Sequence, residues 1–123
     1  MSNCTQVIFV FLGTMNIEEF RDYCLSLRGA TEDFPFGADT LVYKVNGKMF
    51  ALTNIDLFES VNLKCEPEEA IDLRERYAAV LPGYHMNKKH WNTVLMDQSI
   101  PDKLVKQWIR NSYDLVVSKL SKK

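Results

Sequence analysis

The eleven residues Pro82-Gly83-Tyr84-His85-Met86-Asn87-Lys88-Lys89-His90-Trp91-Asn92 hold two lysines, two histidines, two asparagines and two aromatics, with no acid among them. No other stretch of the chain is so lopsided. Cationic and amide donors beside flat rings suit a surface that meets phosphates, bases or another anionic partner. Lys88 and Lys89 neutralise phosphates, Asn87 and Asn92 donate to phosphate or base edges, and Tyr84, His85 and Trp91 stack on bases where exposed. A plainer reading stands beside this one. Adjacent lysines on a turn are commonly solvated charge, and Trp91 suits the core.

Other chemistries find little support. The glycines at 13, 29, 37, 47 and 83 form neither a G-x-G-x-x-G nor a P-loop pattern. His85 and His90, five residues apart, fall on different faces of a helix and opposite faces of a strand, and no Cys-x-x-Cys accompanies them, so no metal site is expected. A Cys65 nucleophile is disfavoured, because a half-buried strand thiol just before an acidic helix start resists becoming a thiolate. Glu66, Glu68 and Glu69 could be acid-base carboxylates, yet a first helical turn accounts for them more simply. The loop Glu32-Asp33-Phe34-Pro35-Phe36-Gly37 leaves two readings open. Phe34, Pro35 and Phe36 either wall a pocket with Trp91 or anchor the loop on the core.

Ordinary elements must position these residues. Asn16 caps a first helix with Glu19 as the capping-box acid; Ile17, Phe20, Cys24 and Leu27 form its inner face, and Gly29 ends it. Thr40 to Val45 and Lys48 to Leu52 flank Asn46-Gly47, a strong hairpin signal because both turn residues must tolerate positive φ. A third strand alternates through Val61, Leu63 and Cys65. Pro67 opens a second helix with Ala70, Leu73 and Tyr77 inward. Trp91 to Met96 is a fourth strand, and a last helix runs from Pro101 to near Leu120 with Leu104, Val105, Trp108, Ile109, Leu115 and Val116 inward. The order α-β-β-β-α-β-α predicts an α+β single domain, an antiparallel sheet packed against helices.

The chain has 123 residues, 46% of them hydrophobic and 25% charged, which fits one core and one domain. The formal net charge of -1 removes the argument that a globally basic protein seeks nucleic acid. Its distribution says more: from Tyr84 onward eight Lys and Arg face three Asp, a net of +5, while the preceding 83 residues carry -6. Cys4, Cys24 and Cys65 are too few and too scattered for a disulfide framework. The run Val7 to Leu12 resembles an export signal, but no Lys or Arg precedes it, no small-residue cleavage site follows, and it is too short to cross a bilayer. A cytoplasmic protein is expected, with residues 1–14 an extension and residues 15–123 the domain.

Several blocks in order resemble the MmcQ/YjbR family of small bacterial proteins. They are Glu32 to Gly37, Lys44 to Ala51, Asn62 to Pro67, Pro82 to Val94 and Ser112 to Val116, and together they span most of the chain from Met15. The resemblance implies an α+β fold related to the frataxin-like CyaY arrangement, and a double-wing surface proposed to bind DNA. Carried over by position, Tyr84, His85, Asn87, Lys88, Lys89, His90 and Asn92 become the expected contact surface. Lys44 and Lys48 beside the Asn46-Gly47 turn form a second protruding element. The expected partner is double-stranded DNA, bound by a monomer without catalysis, cofactor or metal. The alternative is a module that docks a small anionic ligand or a protein, with Phe34, Pro35, Phe36 and Trp91 around a pocket. An enzyme would need a titratable pair such as His85 with Glu32.

Overall fold

A computed structural model describes residues 15–83 and 86–121. The capping box forms as the sequence predicts: Asn16 accepts from the Glu19 N–H and Glu19 accepts from the Asn16 N–H, starting helix α1 (Ile17–Ser26). The chain then builds β1 (Ala30–Asp33), β2 (Thr40–Val45), β3 (Lys48–Asn54) and β4 (Ser60–Lys64). Helix α2 (Pro67–Arg76), β5 (Val80–Pro82), β6 (Trp91–Leu95) and helix α3 (Asp102–Ser121) complete it. The six strands form one antiparallel sheet in the order β1-β2-β3-β4-β6-β5. This is an α+β single domain.

Two strands go beyond the sequence expectation. β1 reads Ala-Thr-Glu-Asp, without apolar alternation, and β5 is three residues long; each takes a sheet edge, where pairing rather than burial defines it. The helices share one face. α1 lies over β1, α3 over β2, β3 and β4, and α2 over β5 and β6. Their core includes Phe20, Tyr43, Phe50, Val61, Val94, Val105 and Ile109. A register shift between Tyr43 and Lys44 leaves Phe50 as an extra residue on β3, so the consecutive Phe50 and Ala51 both join this core. The other face carries a smaller cluster of Val42, Leu52 and Trp91, flanked by Met49 and Met86. Trp91 is therefore buried, but away from the helices.

Among the described residues, no helix is long and apolar enough to cross a membrane.

Candidate nucleic-acid interface and an adjoining cleft

Register decides which turns are neighbours. The β2-β3 turn follows Val45, paired with Lys48, and adopts positive φ at Asn46 (52°) and Gly47 (79°). At the same end of the sheet β4 finishes at Lys64, which pairs with Trp91 at the start of β6, and β5 finishes at Pro82, paired with Asn92. The Asn46-Gly47 turn and the β5-β6 connection, described over 86–90, therefore leave the sheet at one end. Lys44, Lys48, Lys88 and Lys89 gather there although more than thirty residues separate the two pairs. From β3 to β6 is two strand spacings, about 10 Å.

The loop is held by its backbone. Gly83 N–H donates to Trp91 O (2.8 Å), and Asn87 O accepts from the N–H groups of His90 (3.2 Å) and Trp91 (3.0 Å). Outside contacts add to this: Cys65 N–H donates to His90 O at 2.7 Å, and the Arg74 guanidinium donates to Lys88 O at 2.7 Å. Gly83 is required by close approach, since a Cβ there would lie 2.8 Å from both Cβ and O of Trp91. So fixed, the loop leaves Lys88 and Lys89 exposed.

The expected site residues are placed unevenly. Lys48 is exposed, and Lys44 is half-buried with its ammonium 3.8 Å from Asp33. Asn87 is exposed, with its Oδ1 accepting from the Lys89 N–H at 2.9 Å, so it helps to build the turn. His90 is half-buried. Asn92 corrects the expectation of a surface contact. It is 2% exposed, and its Nδ2 donates to Ala70 O on α2, because alternation along β6 turns it toward the helices. Tyr84 and His85 lie outside the described residues, as do residues 1–14. Phe34 and Phe36 are exposed, at 44% and 64%, and Pro35 with them, while Trp91 is buried in the open-face cluster. Glu32 stands on edge strand β1, four strand spacings or roughly 19 Å from β6. There it accepts from Arg21 (2.7 Å) and from the Tyr43 hydroxyl (2.9 Å), and the guanidinium holds its carboxyl below the usual range.

Two residues joined the site only through the fold. Lys64 follows Leu63 and so faces away from the helices, beside Trp91, at the same sheet end as the other lysines. Simple alternation makes that placement readable. Arg74, which ties the loop to α2, had no local signal at all.

A cleft of about 310 Å³ opens on the helix side, between α2 and α3 over β4 and β6. Its apolar lining includes Leu63, Leu73, Val94, Trp108 and Leu115; Glu66 and Glu69 stand on one side, Asp114 on the other. None of Phe34, Pro35, Phe36 and Trp91 lines it. Cys65, also in the lining, has its thiol pushed up to about 12 by burial and by Glu69 and Glu66, which leaves it a poor nucleophile. Among the described residues no three His, Cys, Asp or Glu side chains group as metal ligands.

The YjbR family model matches residues 25–115, which include both turns and all six strands. The chain belongs to the YjbR family. It is 34% identical over 107 residues to uncharacterised protein YjbR of Escherichia coli K12, covering 86% of this chain and 91% of that one. With uncharacterised protein YbdF of Escherichia coli O157:H7 it shares 37% identity over 91 residues, 73% of this chain and 75% of the other. The crystal structure of Deinococcus radiodurans protein DR2400, of domain family DUF419, superposes with a TM-score of 0.82 at 38% identity, covering 86% of this chain and 81% of that one. The resemblance read from Pro82 to Val94 thus falls inside the YjbR match, as do the lining residues of the cleft apart from Ser118.

Proposed function

We propose that this YjbR-family protein is a non-enzymatic DNA-binding module, working as a monomer in the cytoplasm and contacting duplex phosphates with the lysine-bearing end of its sheet. One observation carries the reading: the register brings Lys44 and Lys48 to the same sheet end as Lys88 and Lys89. Lys64 lies between them on the open face. Glu66, Glu68 and Glu69, at the start of α2, stand on the helix side of that end, and Asp33, 3.8 Å from Lys44, is the acid that meets the lysines on the open face. The nearest strands of the two turns, β3 and β6, lie about 10 Å apart, against duplex groove widths of roughly 6–12 Å. Binding on this basis is electrostatic, modest and salt-sensitive.

Fluorescence anisotropy on a labelled duplex at several salt concentrations tests it, comparing the parent chain with a Lys88→Ala/Lys89→Ala variant of verified fold. The parent binds at low salt, and the variant binds more weakly, with a salt slope lower by about 0.9 for each phosphate contact removed. Binding indifferent to the double substitution, or absent at low salt, removes this surface as a DNA contact.

A further inference from the structure

The cleft between α2 and α3 has a chemistry of its own, opposite in sign to that of the lysine-bearing end. Its volume of about 310 Å³ sits at the lower end of the roughly 300–1,000 Å³ typical of small-molecule sites. Leu63, Leu73, Val94, Trp108 and Leu115 supply apolar surface for the body of a ligand. The charged groups are mostly acidic, and Asn111 and Ser118 add neutral polar ones. Glu66 and Glu69 lead into α2, and Asp114 faces from α3, already 3.1 Å from Arg110. Lys64, the one lysine in the lining, belongs by strand alternation to the opposite face of the sheet.

Asn92 supplies the second observation. It lines the cleft from β6 and is 2% exposed. Its Nδ2 donates to Ala70 O at 3.2 Å, which settles the amide's orientation, since a flip would set two carbonyl oxygens against each other. Among the described residues the Oδ1 then remains a buried acceptor with no hydrogen-bond partner. Leaving such an atom unpaired costs about 1–3 kcal/mol, so an acceptor kept in this state marks a place where a donor belongs.

We propose that the cleft binds a small organic cation, an amine or guanidine with an apolar or aromatic body, whose N–H groups meet Glu66, Glu69 and Asp114 and satisfy Asn92 Oδ1. Three carboxylates against one lysine that faces away select a cation over a carboxylate, and the apolar walls select an organic cation over a metal ion. The Cys65 thiol agrees: burial raises it most, and the negative fields of Glu69 and Glu66 add to that against the opposing field of Arg74.

The test is a titration of the full, isotope-labelled chain followed by amide and indole NMR, with tryptamine and phenethylamine as probes. Indole-3-acetate and indole, matched in shape but anionic or neutral, are the controls. Saturable shifts at the Trp108 indole N–H and the Asn92 side-chain amide are expected with the amines, and at least tenfold weaker binding with either control. Glu66→Gln/Glu69→Gln, both exposed positions whose change leaves the spectrum of the folded chain intact, weakens amine binding at least tenfold; Asp114→Asn weakens it further. Controls that bind as tightly as the amines, amine binding unchanged in the double variant, shifts mapping away from the cleft, or no shift at millimolar amine would each overturn the proposal. Because neither Lys88 nor Lys89 lines the cleft, a result here is independent of the DNA titration.

Discussion

Ser112, fully buried on α3, uses one hydroxyl to repair the sheet. It donates to Phe50 O at 2.5 Å and accepts from Lys64 N–H at 2.9 Å, the backbone groups just beyond the Ala51-Leu63 pair of the β3-β4 ladder. The Phe50 bulge parts the strands there, and the side chain stands in for a ladder bond. Ser112→Ala strands a carbonyl and an N–H together, at about 1–3 kcal/mol for each buried group left unpaired. A urea unfolding midpoint that does not fall would show that water replaces the hydroxyl. Gly83→Ala drives a methyl into Trp91 and is expected to destabilise by about 1–3 kcal/mol, the range for overpacking, with the loss visible in the same unfolding curve. Neither role is legible in the sequence, because Ser112 sits in an amphipathic helical run and Gly83 in an ordinary Pro-Gly turn; only the neighbours brought by folding give them their work.

Among the elements, α1 was the most readable. Asn16 and Glu19 hydrogen-bond only within their own turn, so the signal and the interaction are both local. Asn16→Ala removes a cap worth about 0.5–2 kcal/mol, measurable as a lower thermal midpoint with little change in far-ultraviolet circular dichroism, since tertiary packing of Phe20 and Cys24 keeps the helix in place. The Asn46-Gly47 hairpin was readable for the same reason. β1 and β5 were not. Thr31, Glu32 and Asp33 look like loop residues until β2 supplies backbone partners, and Val80 to Pro82 is too short to show a period. The boundaries of the last helix held to within a residue, from Asp102, because its apolar positions recur through five turns.

At the scale of the whole molecule, titrating groups limit stability on both sides of neutrality. Arg21 holds the Glu32 carboxyl below its ordinary value of 4.5, so that contribution is present above 4.5 and lost as pH falls through the lowered folded value. Both partners are partly solvated, which keeps the effect small. On the alkaline side burial raises the Cys24 and Cys65 thiols above 9.0 and the Tyr43 phenol above 10.0. Stability from these neutral forms is full below those ordinary values and declines as pH rises beyond them. A urea midpoint followed against pH therefore falls below 4.5 and again above 9.0; Glu32→Gln flattens the acid limb, and an acid limb unchanged in that variant would assign it to other carboxylates. By itself the sequence determined whatever depends on a few adjacent residues: the capped helix, the Asn-Gly hairpin, the helical face of α3 and the acid-free composition of the 82–92 stretch. The tertiary structure alone decided that β6 enters between β4 and β5, and with that insertion Asn92 turned into the helix-side interior, Trp91 onto the open face, and the two lysine pairs to one sheet end. Strand order is a sum of non-local backbone pairings, each nearly blind to side-chain identity, so no window of sequence contains it.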